Sequence, residues 1–163
     1  MTLAKSGDRE AFGRLVRRHL GAARGYCAKL LGDVGLAEDA CQDAFVRAWR
    51  GLEGFRGESS FRTWLWRIVV NAARDVRRPR ETGLGERDFE ARGERDVAAE
   101  DAVGRAMSEL PERQRQVLLM VAELGLGLSE IAASLGISYE NAKANLSLAR
   151  KKVREALDRE SGR

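Results

Sequence analysis

Only two prolines occur in this chain of 163 residues, and each stands at the edge of a long run of helical periodicity rather than inside one. Pro79 follows the run that ends at Arg78, where a ring without an N–H stops a helix and pushes the preceding residue out of the α region. Pro111, in LPERQRQVLLM, opens a run and is expected as the first residue of a helix, where its missing donor costs nothing. No stretch alternates β-branched and polar residues between turn signals. The chain is therefore expected to be all-α.

Charge divides it further. The net charge of +4 is the sum of +6 over residues 1–78, −4 over residues 79–103 and +2 over residues 104–163. The middle block mixes Gly, Glu, Asp and Arg with few large apolar residues, the composition of a solvated linker. Two small helical domains joined by a flexible acidic linker are expected, with both basic surfaces facing a polyanion. Cys27, Cys41 and His19 are the only residues of their kinds. Both cysteines fall on apolar helix faces and read as buried thiols; no ligand spacing calls for a metal or cofactor. No apolar run could span a bilayer and no signal-peptide pattern opens the chain, so no membrane insertion is expected and the cytosol is the expected compartment.

In the first domain, Ser6 or Asp8 can cap a helix carrying Phe12, Leu15, Val16, Leu20, Ala23, Cys27, Leu30 and Leu31 inward, with His19 packed at the boundary. Gly32 and Gly35 around Asp33 break it. A second helix, Leu36 to Trp49, turns Ala37, Cys41, Ala44, Phe45, Ala48 and Leu52 inward and Asp39, Gln42, Asp43, Val46, Arg47 and Arg50 outward. After a glycine-rich loop, Ser59 or Ser60 can cap a third helix. Its core stripe is Phe61, Leu65, Ile68, Ala72 and Val76, and a second face lines up Thr63, Arg67, Asn71, Arg74 and Arg78. Trp66 and Val70 are expected to flank that basic face, with Trp64 on the other side. Guanidinium groups for phosphate, π-faces for bases and an amide for a base edge suit unpaired nucleic acid. A solvated arginine face over a core of tryptophans accounts for the same pattern.

The second domain is expected to begin with a short helix from about Ala102 to Leu110. The helix after Pro111 buries Val117, Leu118, Val121 and Leu124, and Gly125 and Gly127 form a turn. LSEIAASLGISYENAKANLSLARKK then carries the signature of a helix-turn-helix: a short helix with Ile131, Ala132 and Leu135, a tight turn at Gly136, and a longer helix capped by Ser138. Tyr139, Ala142, Leu146, Ala149 and Val153 are expected inward. Glu140, Lys143, Ala144, Ser147, Leu148 and Lys151 are left outward, with Arg150, Lys152 and Arg154 as a basic flank for phosphates.

The segments GDREAF (7–12), AEDACQDAFVRAW (37–49), FRGESSFRTWLWRIVVNAARD (55–75), LPERQRQVLLM (110–120) and EIAASLGIS (130–138) stand in an order and spacing that resemble a bacterial sigma factor of the extracytoplasmic-function group. The resemblance covers nearly the whole chain. It implies a non-enzymatic factor that directs core RNA polymerase to promoters. It assigns polymerase docking to Asp39, Gln42, Asp43 and Arg47. To Arg56, Ser59, Ser60, Arg62, Thr63, Arg67, Asn71 and Arg74 it assigns recognition and opening of the minus-10 element, with Asn71 on a flipped-out base. Minus-35 recognition falls to Glu140, Asn141, Lys143, Ala144, Asn145, Ser147, Leu148 and Lys151. A cognate anti-sigma factor is also implied. The chain departs from its relatives at Asn145 and Leu148, where arginines are common, at Ser147, where a histidine is frequent, and at Gly127, where a capping serine is usual with Ser129 nearby. A regulator with an N-terminal dimerisation or sensor module, a protein that sequesters polymerase, and a nucleic-acid-processing enzyme with Asp75 in a metal cluster are the rival readings.

Overall fold

The computed structural model describes residues 8–77 and 102–161, and the described residues form seven helices and no strand. Helix α1 (Arg9–Leu31) opens at Asp8, whose carboxylate accepts hydrogen bonds from the Glu10 and Ala11 amides at 2.9 and 3.0 Å. It ends at Gly32, whose φ of 69° lets its N–H turn back to the Ala28 carbonyl at 2.8 Å. Asp33 does not merely belong to the break. Its side chain accepts from the Leu36 amide at 2.8 Å and caps α2 (Val34–Gly51), so Gly35 lies within the helix and the turn needs only one glycine.

Ser60 is the residue that starts α3 (Phe61–Arg77): its hydroxyl accepts from the Thr63 amide at 3.0 Å. The first module packs α3 on α2 and both on α1. Ala37, Ala40, Ala44 and Ala48 are buried along α2, and these small side chains let the neighbouring helices approach closely. Cys27 and Cys41 are buried as expected.

The second module comprises α4 (Ala102–Ser108), α5 (Glu112–Ala122), α6 (Leu128–Leu135) and α7 (Tyr139–Ser161). Pro111 is the N-cap of α5 rather than its first helical residue, with the extended ψ of 143° that precedes the helix. The buried face of α5 also differs from the expected stripe. Gln116, Val117, Leu119 and Met120 are buried and Leu118 and Val121 only half so, because α5 is covered by α7 on one side and by α1 of the first module on another. Arg105 clamps the start of this module to its end through Glu160 at 3.0–3.1 Å. The helix-turn-helix is present as predicted. Gly136 takes a φ of 64°, the Ile137 amide returns to the Ala132 carbonyl at 3.0 Å, and the Ser138 hydroxyl accepts from the Asn141 amide at 3.1 Å. At the other end of α6, Gly127 is the N-cap, and the Glu130 carboxylate accepts from its amide at 3.0 Å.

The two modules pack against each other, α6 on α3 and α5 on α1, and one continuous apolar core runs through both. This contact changes the reading of α3. Leu65, Trp66, Val69, Val70, Ala72 and Ala73 are all buried, whereas Phe61, Ile68 and Val76 of the predicted stripe are half-buried. The predicted linker and Arg78 fall largely outside the described residues, as does Ser6.

Candidate functional site

Three surfaces carry the residues singled out in the sequence. The first is α7. Glu140, Asn141, Lys143, Ala144, Ser147, Leu148 and Lys151 are exposed together on one side, and Ala142, Leu146 and Ala149 anchor the opposite side in the core. Leu148, 48% exposed, is the one large apolar side chain on that side. Asn145 is half-buried and donates to the Asn141 carbonyl and side-chain oxygen at 2.9 and 2.6 Å, which fixes the orientation of both amides. Tyr139 is a correction: predicted inward, it is 46% exposed, because the stripe reaches the core only from Ala142 onward and the first turn of α7 projects beyond it.

The second surface is the loop before α3 and the side of α3 that meets the second module. Phe55, Phe61 and Trp64 form an aromatic cluster with centroid separations of 5.1–6.2 Å, and Gly57 (φ 78°) turns the loop beside it. Arg56 is exposed and Ser59 half-buried. The Ser60 and Thr63 hydroxyls lie 2.8 Å apart, and Thr63 is buried. Arg62 donates to the carbonyls of Leu124 and, at 2.7 Å, Gly125, and Arg67 donates to the Ala133 carbonyl at 2.8 Å. The Asn71 side-chain oxygen accepts from Arg74 at 3.1 Å. Both residues line a cavity of 240 Å³ shared with Arg113, Gln116 and Ser134 of the second module. The predicted aromatic flank is not there: Trp66 is 1% exposed and packs edge-on against His19 at 5.7 Å. Val70, 5% exposed, is buried with it, because α6 covers that side of the helix. Burial, then Arg18 and Arg62, holds the His19 pKa below its ordinary value, the behaviour of a packed boundary histidine.

The third surface is the outer side of α2. Asp39 and Gln42 are exposed. Arg47 and Asp43 are spoken for: the guanidinium pairs with Asp43 at 2.6 Å and with Asp75 of α3 at 2.7 Å, and these hydrogen bonds, Asp75 first, raise its pKa. Asp75 is thereby engaged in an ion pair, and no group of three or more potential metal ligands occurs among the described residues. What sequence reasoning missed is a groove of 520 Å³ between α1 and α2, where Phe12, Val16, Leu20, Phe45, Val46 and Trp49 are accompanied by Arg24, Glu38, Cys41 and Gln42. Val46, an apolar residue inside an acid-led face, was its only visible signal. Behind Cys41, interaction between the two buried thiols, and then burial, pushes the Cys27 pKa up, whereas the same interaction lowers that of Cys41 against the opposing effect of burial.

An exposed reading helix in a helix-turn-helix, behind a three-helix module with a cationic face, defines a DNA-directed helical factor. Residues 15–82 match the sigma-70 region 2 family and residues 100–153 the sigma-70 region 4 family. The RNA polymerase sigma factor CnrH of Cupriavidus metallidurans is 36% identical over 97% of this chain and 92% of its own length. The extracytoplasmic-function sigma-E factor of Escherichia coli is 31% identical, covering 94% of this chain and 88% of that one. The solved structure of CnrH in complex with the cytosolic domain of CnrY superposes with a TM-score of 0.76 at 32% identity, over 96% of this chain and 94% of that one. The sigma factor RpoE of Bartonella quintana, in complex with the anti-sigma factor NepR, shares the fold with a TM-score of 0.70 at 22% identity, covering 91% of this chain and 98% of that one.

The chain belongs to the extracytoplasmic-function group of the sigma-70 family. It is an RNA polymerase sigma factor, serving promoter-directed initiation of transcription. No helix among the described residues is long and apolar enough to cross a membrane.

Proposed function

We propose a division of labour in which residues 1–78 dock on core polymerase and open the minus-10 element, residues 79–103 connect, and residues 104–163 anchor on the minus-35 duplex. The observation that carries it is the contrast between two cationic helices. The α7 face is exposed around Lys143, Ser147 and Leu148, so it is ready to enter a major groove as it stands. Lys143 and Lys151 hold phosphate, Asn141 and Asn145 present amides to base edges, and Leu148 meets a thymine methyl. Without arginines at positions 145 and 148, bidentate guanine contacts are not available there.

On α3, Arg62, Thr63, Arg67, Asn71 and Arg74 face unpaired bases and phosphates once the modules separate, with Arg56, Ser59 and Ser60 at the loop end. A pocket that accepts a base only after it leaves the stack favours the open duplex over the closed one, which makes binding and strand opening a single equilibrium. Docking on polymerase uses Asp39 and Gln42 beside the α1–α2 groove, while Asp43 and Arg47 hold α2 to α3 and keep that face rigid. The protein acts in the cytoplasm, needs no cofactor and performs no catalysis of its own. It is held in check by a cognate anti-sigma factor, a partner of the kind that NepR is for the Bartonella quintana factor.

Purified core polymerase supplemented with this chain and a pool of genomic promoter fragments tests the reading. Transcripts starting downstream of a shared pair of elements are expected; no transcript from any fragment would refute it.

A further inference from the structure

Resting on the assignment of α7 to minus-35 duplex, we propose that Asn141 reads an adenine there and that Asn145 is a positioning residue that holds its amide ready. Asn145 donates from one nitrogen to two oxygens, the backbone carbonyl of Asn141 at 2.9 Å and the Asn141 side-chain oxygen at 2.6 Å. The backbone carbonyl can only accept, so the atom beside it is the Asn145 nitrogen, and the second hydrogen of that nitrogen then requires an oxygen on Asn141. One main-chain group thus fixes both amides end for end. A bond to the carbonyl four residues back is ordinary for a short polar side chain on a helix. The second bond, to another side chain, is the one that orients a neighbour.

What remains free on the pair defines the base. Asn145 has both amide hydrogens engaged. Asn141 keeps two hydrogens on its nitrogen and one lone pair on its oxygen, a donor beside an acceptor in one plane. Adenine offers the complement in the major groove, N7 to accept and N6 to donate, whereas guanine offers two acceptors and sets O6 against the amide oxygen. Asn141 is also well placed. It is exposed in the first turn of α7, where a reading helix meets base edges, and its own N–H is tied to the Ser138 hydroxyl at 3.1 Å. Ala144 and Leu148 share its face with Asn145 at helical spacing, so the amides are bordered by apolar groups that suit thymine methyls. Holding a side chain in its bound conformation lowers the entropy lost on binding. Asn145 therefore strengthens the contact through Asn141, even where its own oxygen also meets a base edge.

The test uses holoenzyme assembled from core polymerase and the full chain. Selection from a promoter pool randomised over the minus-35 region gives the base preference at each position for the wild type, Asn141→Ala, Asn145→Ala, the double variant and Lys143→Ala. For the wild type, one position should favour adenine by roughly tenfold. Placing 7-deazaadenine or purine there, which lack N7 and the N6 amino group respectively, should each lower affinity severalfold. Asn141→Ala should erase the preference at that position alone. Asn145→Ala should weaken it about threefold and, in the Asn141→Ala background, change nothing there, a coupling that a merely structural role does not produce. Lys143→Ala should weaken every sequence alike. An unaltered base profile in Asn141→Ala, or erasure of a preference for a base other than adenine, would overturn the adenine contact. Equal losses from Asn145→Ala with and without Asn141 would overturn the positioning role. Either result leaves α7 as the duplex reader when Lys143→Ala still weakens binding; a wild-type selection with no minus-35 preference at all takes that assignment down as well.

Discussion

Tyr26 is fully buried, and its hydroxyl has no hydrogen-bond partner among the described residues. Burial holds its phenol protonated far above the ordinary range, so the group is a neutral donor without an acceptor. An unsatisfied buried hydroxyl costs on the order of 1–3 kcal/mol, so Tyr26→Phe is expected to stabilise the chain by about 1 kcal/mol, visible as a higher urea midpoint. An unchanged or lower midpoint would mean the hydroxyl is satisfied after all. Asn71 offers the opposite kind of test. Its side chain accepts from Arg74 beside an inter-module cavity, so Asn71→Ala should leave folding and polymerase binding intact. It should slow the appearance of permanganate-reactive thymines at a promoter by roughly tenfold, the value of one or two base-edge hydrogen bonds. Asn71 could be assigned from its place in a motif; Tyr26 could not, because nothing in CAKLL or its surroundings says that a second module will close over that side of α1.

At the scale of the element, α7 and α2 make separate predictions. Lys143 and Lys151 are exposed, and Lys151 makes a long contact of 3.8 Å to Glu155. Replacing each by Ala should lower the slope of log affinity against log salt for minus-35 duplex by about one. A slope unchanged in both would place the phosphate contacts elsewhere. On α2, Asp39→Arg is expected to abolish co-purification with core polymerase while the far-ultraviolet circular dichroism stays that of the wild type; retained binding would move the docking face away from this helix. Arg47 is a different matter. Its two acidic partners make it a brace between α2 and α3, and at 43% exposure such pairs contribute less than about 1 kcal/mol.

Elements were legible because their causes are local. Asp8, Ser60, Ser138 and Gly136 act within one turn of chain, and the caps and the left-handed glycine fall where the residue types put them. The misplaced starts, Gly35 taken as a breaker and Pro111 as a helical residue, are one or two positions wide. They arise where two local signals compete for the same turn.

The whole molecule adds what no single helix holds. His19 sits where α1 meets α3, against Phe61 and Trp66 and near Arg62, which also bonds to the second module. Its folded pKa lies below the ordinary 6.5, so the unfolded chain binds more protons in the interval beneath 6.5. Stability is then full above that value and falls as pH drops through the interval. His19→Gln should flatten that part of a urea-midpoint profile, and an equally sloping profile would assign the loss to the carboxylates.

By itself, the sequence determined the all-helical class, the order of the helices, the helix-turn-helix and, Tyr139 apart, which side of α7 faces outward, since all of these follow from periodicity and capping along a few turns. Only the tertiary structure decided the fate of α3. Its periodicity separates one apolar stripe from one polar face, but Trp66 and Thr63 are buried and Arg62 and Arg67 engaged because α5 and α6, some sixty residues onward, close over them. A hydrophobic pattern states how much surface a helix must bury; which neighbour buries it, and whether a cation meets DNA or a carbonyl of its own chain, depends on contacts between segments distant in sequence.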